Sequence, residues 1–530
     1  MSVSKKIIAL VVLMLCVGSV APQEPREVSW WEGRTWYLLF VRSFYDSDGD
    51  GVGDFRGIAE KLDYLQDLGI GGIWLMPITE STSYHGYDTE DYYDVEQDYG
   101  TMEDFQYLLA EARQRDIKII MDLVINHTSS QHEWFLESTA GGSPYDEWYV
   151  WRDEDPRYNG PWGQPAWYRE GERYYYAPFW SEMPDLNFDN PEVTDEMLSI
   201  AEFWLDEVGV DGFRLDAVKY LLEQEVEGRN ILQNTPSTRQ WLTRFNEFTK
   251  RINPEAFVIG EVWDDTFIVA RYTNENAIDA GFEFRLAEAM LTSIRSRNKR
   301  AVQAQITTVL GSFEDSSQFA PFLSNHDQDR VMTLLEGNVE ANKALASAML
   351  TLPGAPFLYY GEEIGMMGGK PDENIRRPMQ WDTTPVTGGF TTGTPWQPLA
   401  QGLEETTVAN QLQDPSSLLN HYRSLIALRN STPTLVTGET LILASRPSAI
   451  HAILRHDANG KYLVIINLGN RELTDYAISS AGIDLAPVTS LNVVFGAGDI
   501  APLSLSETGD LLDYLPKTLS PYETLILRLD

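Results

Sequence analysis

The chain has 530 residues, 43% hydrophobic and 22% charged, which is the composition of folded protein and too long for one average domain. A formal net charge of −39 repels phosphate backbones and anionic lipid, so nucleic acid and membrane surfaces are poor partners and a neutral polymer is a better one. The one cysteine, Cys16, lies near the N-terminus, so no disulfide is available to the body of the chain.

The first segment reads as a targeting signal. Lys5 and Lys6 precede an apolar run over 7–17 that is too short to span a bilayer, and Ser19-Val20-Ala21 supplies small residues for cleavage. A signal peptide over 1–21 and a secreted or periplasmic protein are the expectation. The alternative, a lipid anchor through Cys16, is disfavoured by the bulky Leu15 before it.

From about residue 30 short apolar runs alternate with helical periodicity. Strands are predicted over 36–41, 71–77, 118–124, 212–218, 256–262, 277–284, 319–324 and 356–360. Helices are predicted over 58–68, 102–115, 193–208, 241–251, 343–352 and 418–429. Strands that are apolar throughout, each followed by a helix, belong to a parallel sheet covered on both faces. Eight of them point to a closed (β/α)8 TIM barrel over 30–127 and 191–434, with functional residues at the strand C-termini. Residues 128–190 are too many for a structureless loop and are rich in Trp and Tyr, so they are read as an inserted domain B at the barrel mouth. Beyond 435, short alternating runs separated by Asp457–Gly460 and Gly469-Asn470 predict a C-terminal antiparallel β-sandwich over 435–530. A monomer is the default.

Three predicted strands end in charge: Arg214 and Asp216 after Gly212-Phe213, Glu261 after Val258-Ile259-Gly260, and His326-Asp327 after Phe322 to Asn325. Carboxylates at strand ends are costly to bury unless paired, and three at one barrel mouth make a functional cluster. Glycoside cleavage needs such a set, with one carboxyl group protonating the leaving oxygen and another meeting the oxocarbenium-like centre. Arg214 beside Asp216 is expected to keep that carboxylate ionised. The apolar run before Glu261 is expected to raise its pKa.

A second acidic motif, Asp46-Ser47-Asp48-Gly49-Asp50-Gly51-Val52-Gly53-Asp54, places a carboxylate at every second position with glycines for the sharp turn. This resembles the first part of a calcium loop. Asp46, Asp48, Asp50 and Asp54 are the side-chain candidates and Val52 the carbonyl candidate for Ca2+, in a stabilising role away from the carboxylate cluster. Gly57 stands where a complete EF-hand loop has glutamate.

The segments Asp122 to His127, Gly212 to Lys219, Gly260-Glu261-Val262-Trp263 and Phe322 to Asp327 resemble, in order, the four signature regions of the α-amylase family, glycoside hydrolase family 13. Met183-Pro184-Asp185-Leu186-Asn187 is similar to its fifth region. The resemblance spans about 35–435 and implies a retaining mechanism on α-glucans such as starch and maltodextrin. Asp216 would be the nucleophile, Glu261 the acid/base and Asp327 the transition-state stabiliser. Tyr87, His127, Arg214 and His326 would contact the sugar at the cleavage site.

Specificity reads both ways. Tyr84 stands where related exo-acting glucosidases carry an aspartate, and Lys219 resembles the α-amylases, which favours an endo-acting α-amylase on α-1,4 bonds. Arg376, in Arg376-Arg377-Pro378-Met379-Gln380-Trp381, resembles the pocket-closing arginine of oligo-1,6-glucosidases and supports the alternative, an exo-acting α-glucosidase or oligo-1,6-glucosidase. Tyr220 replaces a histidine that helps hold an interdomain calcium in many amylases, which counts against a second metal site.

Overall fold

A computed structural model describes residues 28–226 and 229–530. The expected signal peptide, and Cys16 within it, lie outside the described residues. Among these no helix is long and apolar enough to cross a membrane.

Eight parallel strands form the centre: β1 (Trp36–Leu39), β2 (Gly72–Leu75), β3 (Lys118–Leu123), β4 (Gly212–Leu215), β5 (Phe257–Gly260), β6 (Ala280–Phe282), β7 (Phe319–Ala320) and β8 (Phe357–Tyr359). They pair in sequential order, with β8 beside β1. A parallel bridge between Phe322 and Phe357 joins β7 to β8 and closes the ring. Each strand falls within a predicted apolar run, because residues packed on both faces need to be apolar throughout. The interior is filled by aromatic rings. Trp36 stacks on Phe357 at 5.3 Å, Trp74 lies 5.1 Å from Phe282, and Phe282 lies 5.0 Å from Phe357. The barrel is thus a packed core, and the space for a ligand lies above the strand ends.

The surrounding helices carry their own start signals. Met102–Gln114 opens with a reciprocal box in which Asp104 N–H donates to Thr101 Oγ1 at 3.3 Å and Thr101 N–H to Asp104 Oδ2 at 3.0 Å. Pro191–Glu202 starts with Asn190 as its cap and proline in the first turn, then continues in wider π-type turns over Phe203–Val208. The helix predicted over 58–68 is two helices, Phe55–Glu60 and Leu62–Leu68. Between them Lys61 lays its ammonium 3.7 Å from the centre of the Tyr45 ring and 4.7 Å from that of Trp381.

Between β3 and β4 the chain forms the helix Glu133–Ala140 and a three-stranded sheet of Trp151–Arg152, Arg173–Tyr176 and Trp167–Glu170. This insertion is tied to the barrel mouth where His127 bridges Asp185 and Leu186 N–H donates to the Asn126 carbonyl. The C-terminal part holds a five-stranded antiparallel sheet of Glu439–Ile442, Ile450–His456, Lys461–Asn467, Thr524–Leu529 and Leu491–Phe495. A two-stranded ribbon of Ala444–Arg446 and Ala477–Ser479 shares its core. The buried Arg455 joins this domain to the barrel by donating to the carbonyls of Thr351, Leu435 and Gly438 at 2.6–2.8 Å.

Candidate active site

The strand ends converge on one guanidinium. Arg214, from β4, has its side chain 1% exposed, and Nη1 donates to Asp122 Oδ1 at 2.9 Å and to Asp216 Oδ1 at 2.7 Å. Its Nη2 reaches Glu261 Oε2 at 2.8 Å. Strand register explains the first contact, since Arg214 lies opposite Asp122 on β3 and both point into the mouth. Asp122 also accepts from Tyr87 OH at 3.0 Å and from Trp74 Nε1 at 3.3 Å. Burial pushes Asp122 up to about 7 against the pull of Arg214. No contact role was assigned to Asp122 from sequence. The available signal was its place opposite Arg214, and reading that requires the sheet.

Asp327 has a separate cation. Arg376 Nη2 donates to Asp327 Oδ1 at 3.0 Å while its Nε donates to the His326 carbonyl at 3.0 Å. His326 Nε2 lies 3.1 Å from Asp327 Oδ2 and 2.7 Å from Tyr87 OH. Although burial opposes it, the His326 ring and the Arg376 guanidinium hold Asp327 well below the usual carboxylate range. His326 is itself fully buried, and burial lowers its pKa. The contact from His326 Nε2 and the Arg376 guanidinium together favour the Asp327 anion.

Asp216, Glu261 and Asp327 line one cavity of about 680 Å³ together with Tyr87, His127, Lys219 and Arg376. The Asp216 and Glu261 side chains are 13% and 14% exposed and that of Asp327 is 32% exposed, so all three reach the opening. Burial raises the pKa of Glu261, in the direction a proton donor needs. It also raises Asp216, which differs from the simple expectation from Arg214. Burial outweighs the pull of Arg214 there, and the neighbouring Asp327 charge adds to the rise.

Two expected sugar contacts are largely engaged within the protein. His127 Nε2 lies 3.0 Å from the Tyr87 carbonyl, and Lys219 Nζ donates to the Trp263 carbonyl at 2.7 Å and to Asp264 at 3.3 Å. Both line the cavity, but their polar atoms chiefly fix its walls. The structure adds Asp372, which lines the cavity 3.5 Å from Arg376 Nη2, and the exposed rings of Trp162, Trp180 and Trp263. Tyr84 OH is 3.5 Å from Arg376 Nη1, and its ring packs 5.4 Å from Trp396.

The acidic loop lies apart from this cavity. One oxygen each of Asp46, Asp48 and Asp50 comes within 4.8 Å of the others, a spacing and an all-oxygen donor set that fit a hard divalent cation. Asp54 does not join them. Its carboxylate accepts from Ser47 N–H at 2.7 Å and Gly57 N–H at 2.6 Å, capping the helix Phe55–Glu60. Val52 N–H donates to Asp50 Oδ1 at 2.7 Å. Gly51 has φ of +101°, and a side chain there would strike the Thr394 carbonyl, so the loop is docked closely on the 390–396 segment.

A closed (β/α)8 barrel whose mouth gathers three carboxylates and two arginines has the parts of a glycoside hydrolase of the carboxylate type. Alignment with known proteins specifies which. The family model described as "Alpha amylase, catalytic domain" matches residues 38–438, and the chain belongs to the α-amylase family. It is 41% identical over 456 residues to "Alpha-amylase 3" of Dictyoglomus thermophilum, covering 84% of this chain and 86% of that one. It is 32% identical over 513 residues to an oligo-1,6-glucosidase of Parageobacillus thermoglucosidasius, with coverage of 83% and 91%. The crystal structure of α-amylase from H. orenii superposes with a TM-score of 0.79 at 37% identity, covering 94% of this chain and 99% of that one. The protein is therefore a family 13 glycosidase acting on α-glucosidic bonds.

Proposed function

We propose that this glycosidase cleaves α-glucosidic bonds of short malto-oligosaccharides with retention of configuration. The carrying observation is that Arg214 holds Asp216 and Glu261 on its two terminal nitrogens, at 2.7 and 2.8 Å. This supports the short separation, about 5–5.5 Å between carboxyl groups, that distinguishes retaining from inverting enzymes. In this reading an Asp216 oxygen forms a bond to the anomeric carbon as the glycosidic C–O bond breaks, and protonated Glu261 gives its proton to the departing oxygen. Glu261, now ionised, takes a proton from water, which displaces Asp216 and regenerates the enzyme. Asp327, fixed as an anion by Arg376, faces the positive charge that develops on the ring in both steps.

The sequence favours an endo-acting α-amylase, and the relatives move the proposal toward the alternative. Four of them, at 32–33% identity, are oligo-1,6-glucosidases. The cavity offers a matching feature, because Asp372 places a carboxylate beside Arg376 although position 84 holds tyrosine. That pair supports a site that ends near the catalytic centre and favours short chains. The second reading, internal cleavage of long α-1,4 chains, is favoured by Tyr84, which leaves Arg376 without an aspartate from that side. Incubation with maltotriose, isomaltose and soluble starch separates the readings. Glucose release from the short sugars without early loss of starch viscosity supports the proposal; rapid thinning of starch with inert short sugars overturns it. Asp216→Asn tests the nucleophile, with turnover expected to vanish while the melting temperature holds.

Calcium held by Asp46, Asp48 and Asp50, with a stabilising role, belongs to the same proposal. So does export, which rests on the N-terminal segment alone.

A further inference from the structure

One buried cation lies outside the catalytic steps. Arg330 is 2% exposed and does not line the catalytic cavity. It follows Asp327 by three residues, at the start of the short helix Val331–Leu334. Burying a guanidinium is costly unless its donors find partners, and here they are spent on the main chain. Nε donates to the Ile375 carbonyl and Nη1 to the Tyr360 carbonyl, both at 2.7 Å, while Nη2 has no hydrogen-bond partner. The backbone N–H of Arg330 donates to the Gly368 carbonyl at 2.9 Å. The guanidinium lies over the rings of Tyr359 and Tyr360, 4.3 and 4.7 Å from their centres.

The three carbonyls held by Arg330 are spaced along the loop that follows β8. Tyr360 begins that loop, Gly368 lies within it, and Ile375 directly precedes Arg376. The loop brings Lys370, Asp372 and Arg376 to the catalytic cavity. Its end is gripped at successive carbonyls. Tyr359 OH also donates to Ile375 at 3.3 Å, Ser43 Oγ donates to Arg376, and Tyr360 OH donates to Arg377 at 2.8 Å. From this backbone Arg376 reaches Asp327 at 3.0 Å. Of these donors, only Arg330 comes from the segment that carries Asp327. It therefore ties the loop after β7 to the loop after β8.

We propose that Arg330 is a positioning residue for the Asp327–Arg376 pair, setting the distance between the two loops that carry them without touching the sugar. A charge that stabilises a transition state has to be in place before the reaction begins, and a misplacement of about 1 Å costs on the order of 100-fold. The planar guanidinium suits the task because two different nitrogens serve two carbonyls at fixed angles, which the point charge of lysine cannot reproduce. The role rests on the reading of Asp327 as the transition-state stabiliser.

The test is kcat and KM for Arg330→Lys, Arg376→Met, the double variant and Asp327→Asn, on whichever of maltotriose, isomaltose and soluble starch the wild type cleaves fastest. Rates are read well below each melting temperature, where a chain that is only less stable is fully folded and turns over as wild type does. Arg330→Lys should lower kcat at least about tenfold with KM within about threefold. In the Arg376→Met chain, adding Arg330→Lys should lower kcat by less than about twofold, because the residue acts through Arg376. A kcat for Arg330→Lys within about twofold of wild type overturns the inference, as does a loss of equal size with and without Arg376. In both cases Arg376→Met and Asp327→Asn still lower kcat, and the catalytic reading stands. If Asp327→Asn instead turns over as wild type does, the catalytic reading fails and the inference falls with it. Should Arg330→Lys not fold, Tyr359→Phe decides: it removes the second donor to the Ile375 carbonyl and keeps the ring beneath the guanidinium. It should lower kcat about two- to fivefold, again only in the presence of Arg376, and an unchanged kcat overturns the inference.

Discussion

Replacing Arg214 with lysine tests the arrangement most directly, because it keeps a positive charge and removes the fork. Arg214 uses two nitrogens to serve Asp122, Asp216 and Glu261 at 2.7–2.9 Å. A lysine ammonium is a single point donor on a different stem and cannot span all three. Each hydrogen bond to a charged group contributes about 1.5–3 kcal/mol. If lysine stays with the deeper Asp122, loss of the Asp216 contact should lower kcat/KM by about 10- to 200-fold. The pH profile gives an independent readout. Burial already raises Asp216, and Arg214 opposes that rise, so weakening the cation lifts the Asp216 pKa further and moves the acidic limb of kcat/KM to higher pH. The assay is kcat/KM for maltotriose from pH 4 to 8, with circular dichroism to confirm the fold. A folded Arg214→Lys enzyme within threefold of wild type, with an unmoved acidic limb, would refute the reasoning.

Asp372→Asn should raise KM for maltotriose up to about fivefold with kcat retained, since a 3.5 Å pair whose carboxylate is 36% exposed is worth no more than about 1 kcal/mol; an unchanged KM would remove Asp372 from the substrate site. Glu362 is buried, accepts from Tyr422 OH at 2.9 Å, and is pushed up to about 8 by burial. Its folded pKa lies above that of an exposed glutamate, about 4.3, so the stability it contributes is full below that value and is lost as pH rises through the folded pKa, by at most about 1.4 kcal/mol per unit. Glu362→Gln should therefore gain on wild type in urea midpoint between pH 5 and 8, and parallel profiles would exclude the effect. Chelation with EDTA should lower the melting temperature by a few degrees if calcium is present at a hundredfold over Kd, about 2.7 kcal/mol of linkage; Asp48→Asn should abolish that sensitivity, and a chelator-insensitive wild type would remove the metal.

The barrel was legible because strands packed on both faces leave uninterrupted apolar runs, and the residues that end those runs are the ones at the mouth. Glu261 could be located this way, since β5 is Phe257–Gly260 and the next residue is the carboxylate. Contacts between strands were not legible. Asp122 is one polar residue within a predicted strand, and its partnership with Arg214 exists only through parallel register. The helix Arg300–Ser312 was missed because its buried stripe is only Val302, Ile306 and Val309, set among glutamine and threonine. Asp54 is a metal-loop candidate by alternation, and its second use, capping the helix that follows, was not legible in that alternation.

The two arginines explain how similar carboxyl groups in one cavity can be given different tasks. Asp327 meets both the His326 ring and the Arg376 guanidinium, and despite its burial that carboxylate is driven well below the usual range even at the edge of the opening. Arg214 is divided among three, so desolvation prevails at Glu261 and its pKa rises. The His326 ring and Arg376 together hold the proposed stabiliser ionised, while a guanidinium spread over three carboxylates leaves the proposed acid able to carry a proton. Asp216 lies between these cases. Its contact of 2.7 Å to Arg214 favours the anion that a nucleophile must be, and the neighbouring Asp327 charge opposes it. The positive charge that develops on the ring as the glycosidic bond breaks would offset that repulsion, so in the proposed mechanism the Asp216 anion is favoured most at the transition state.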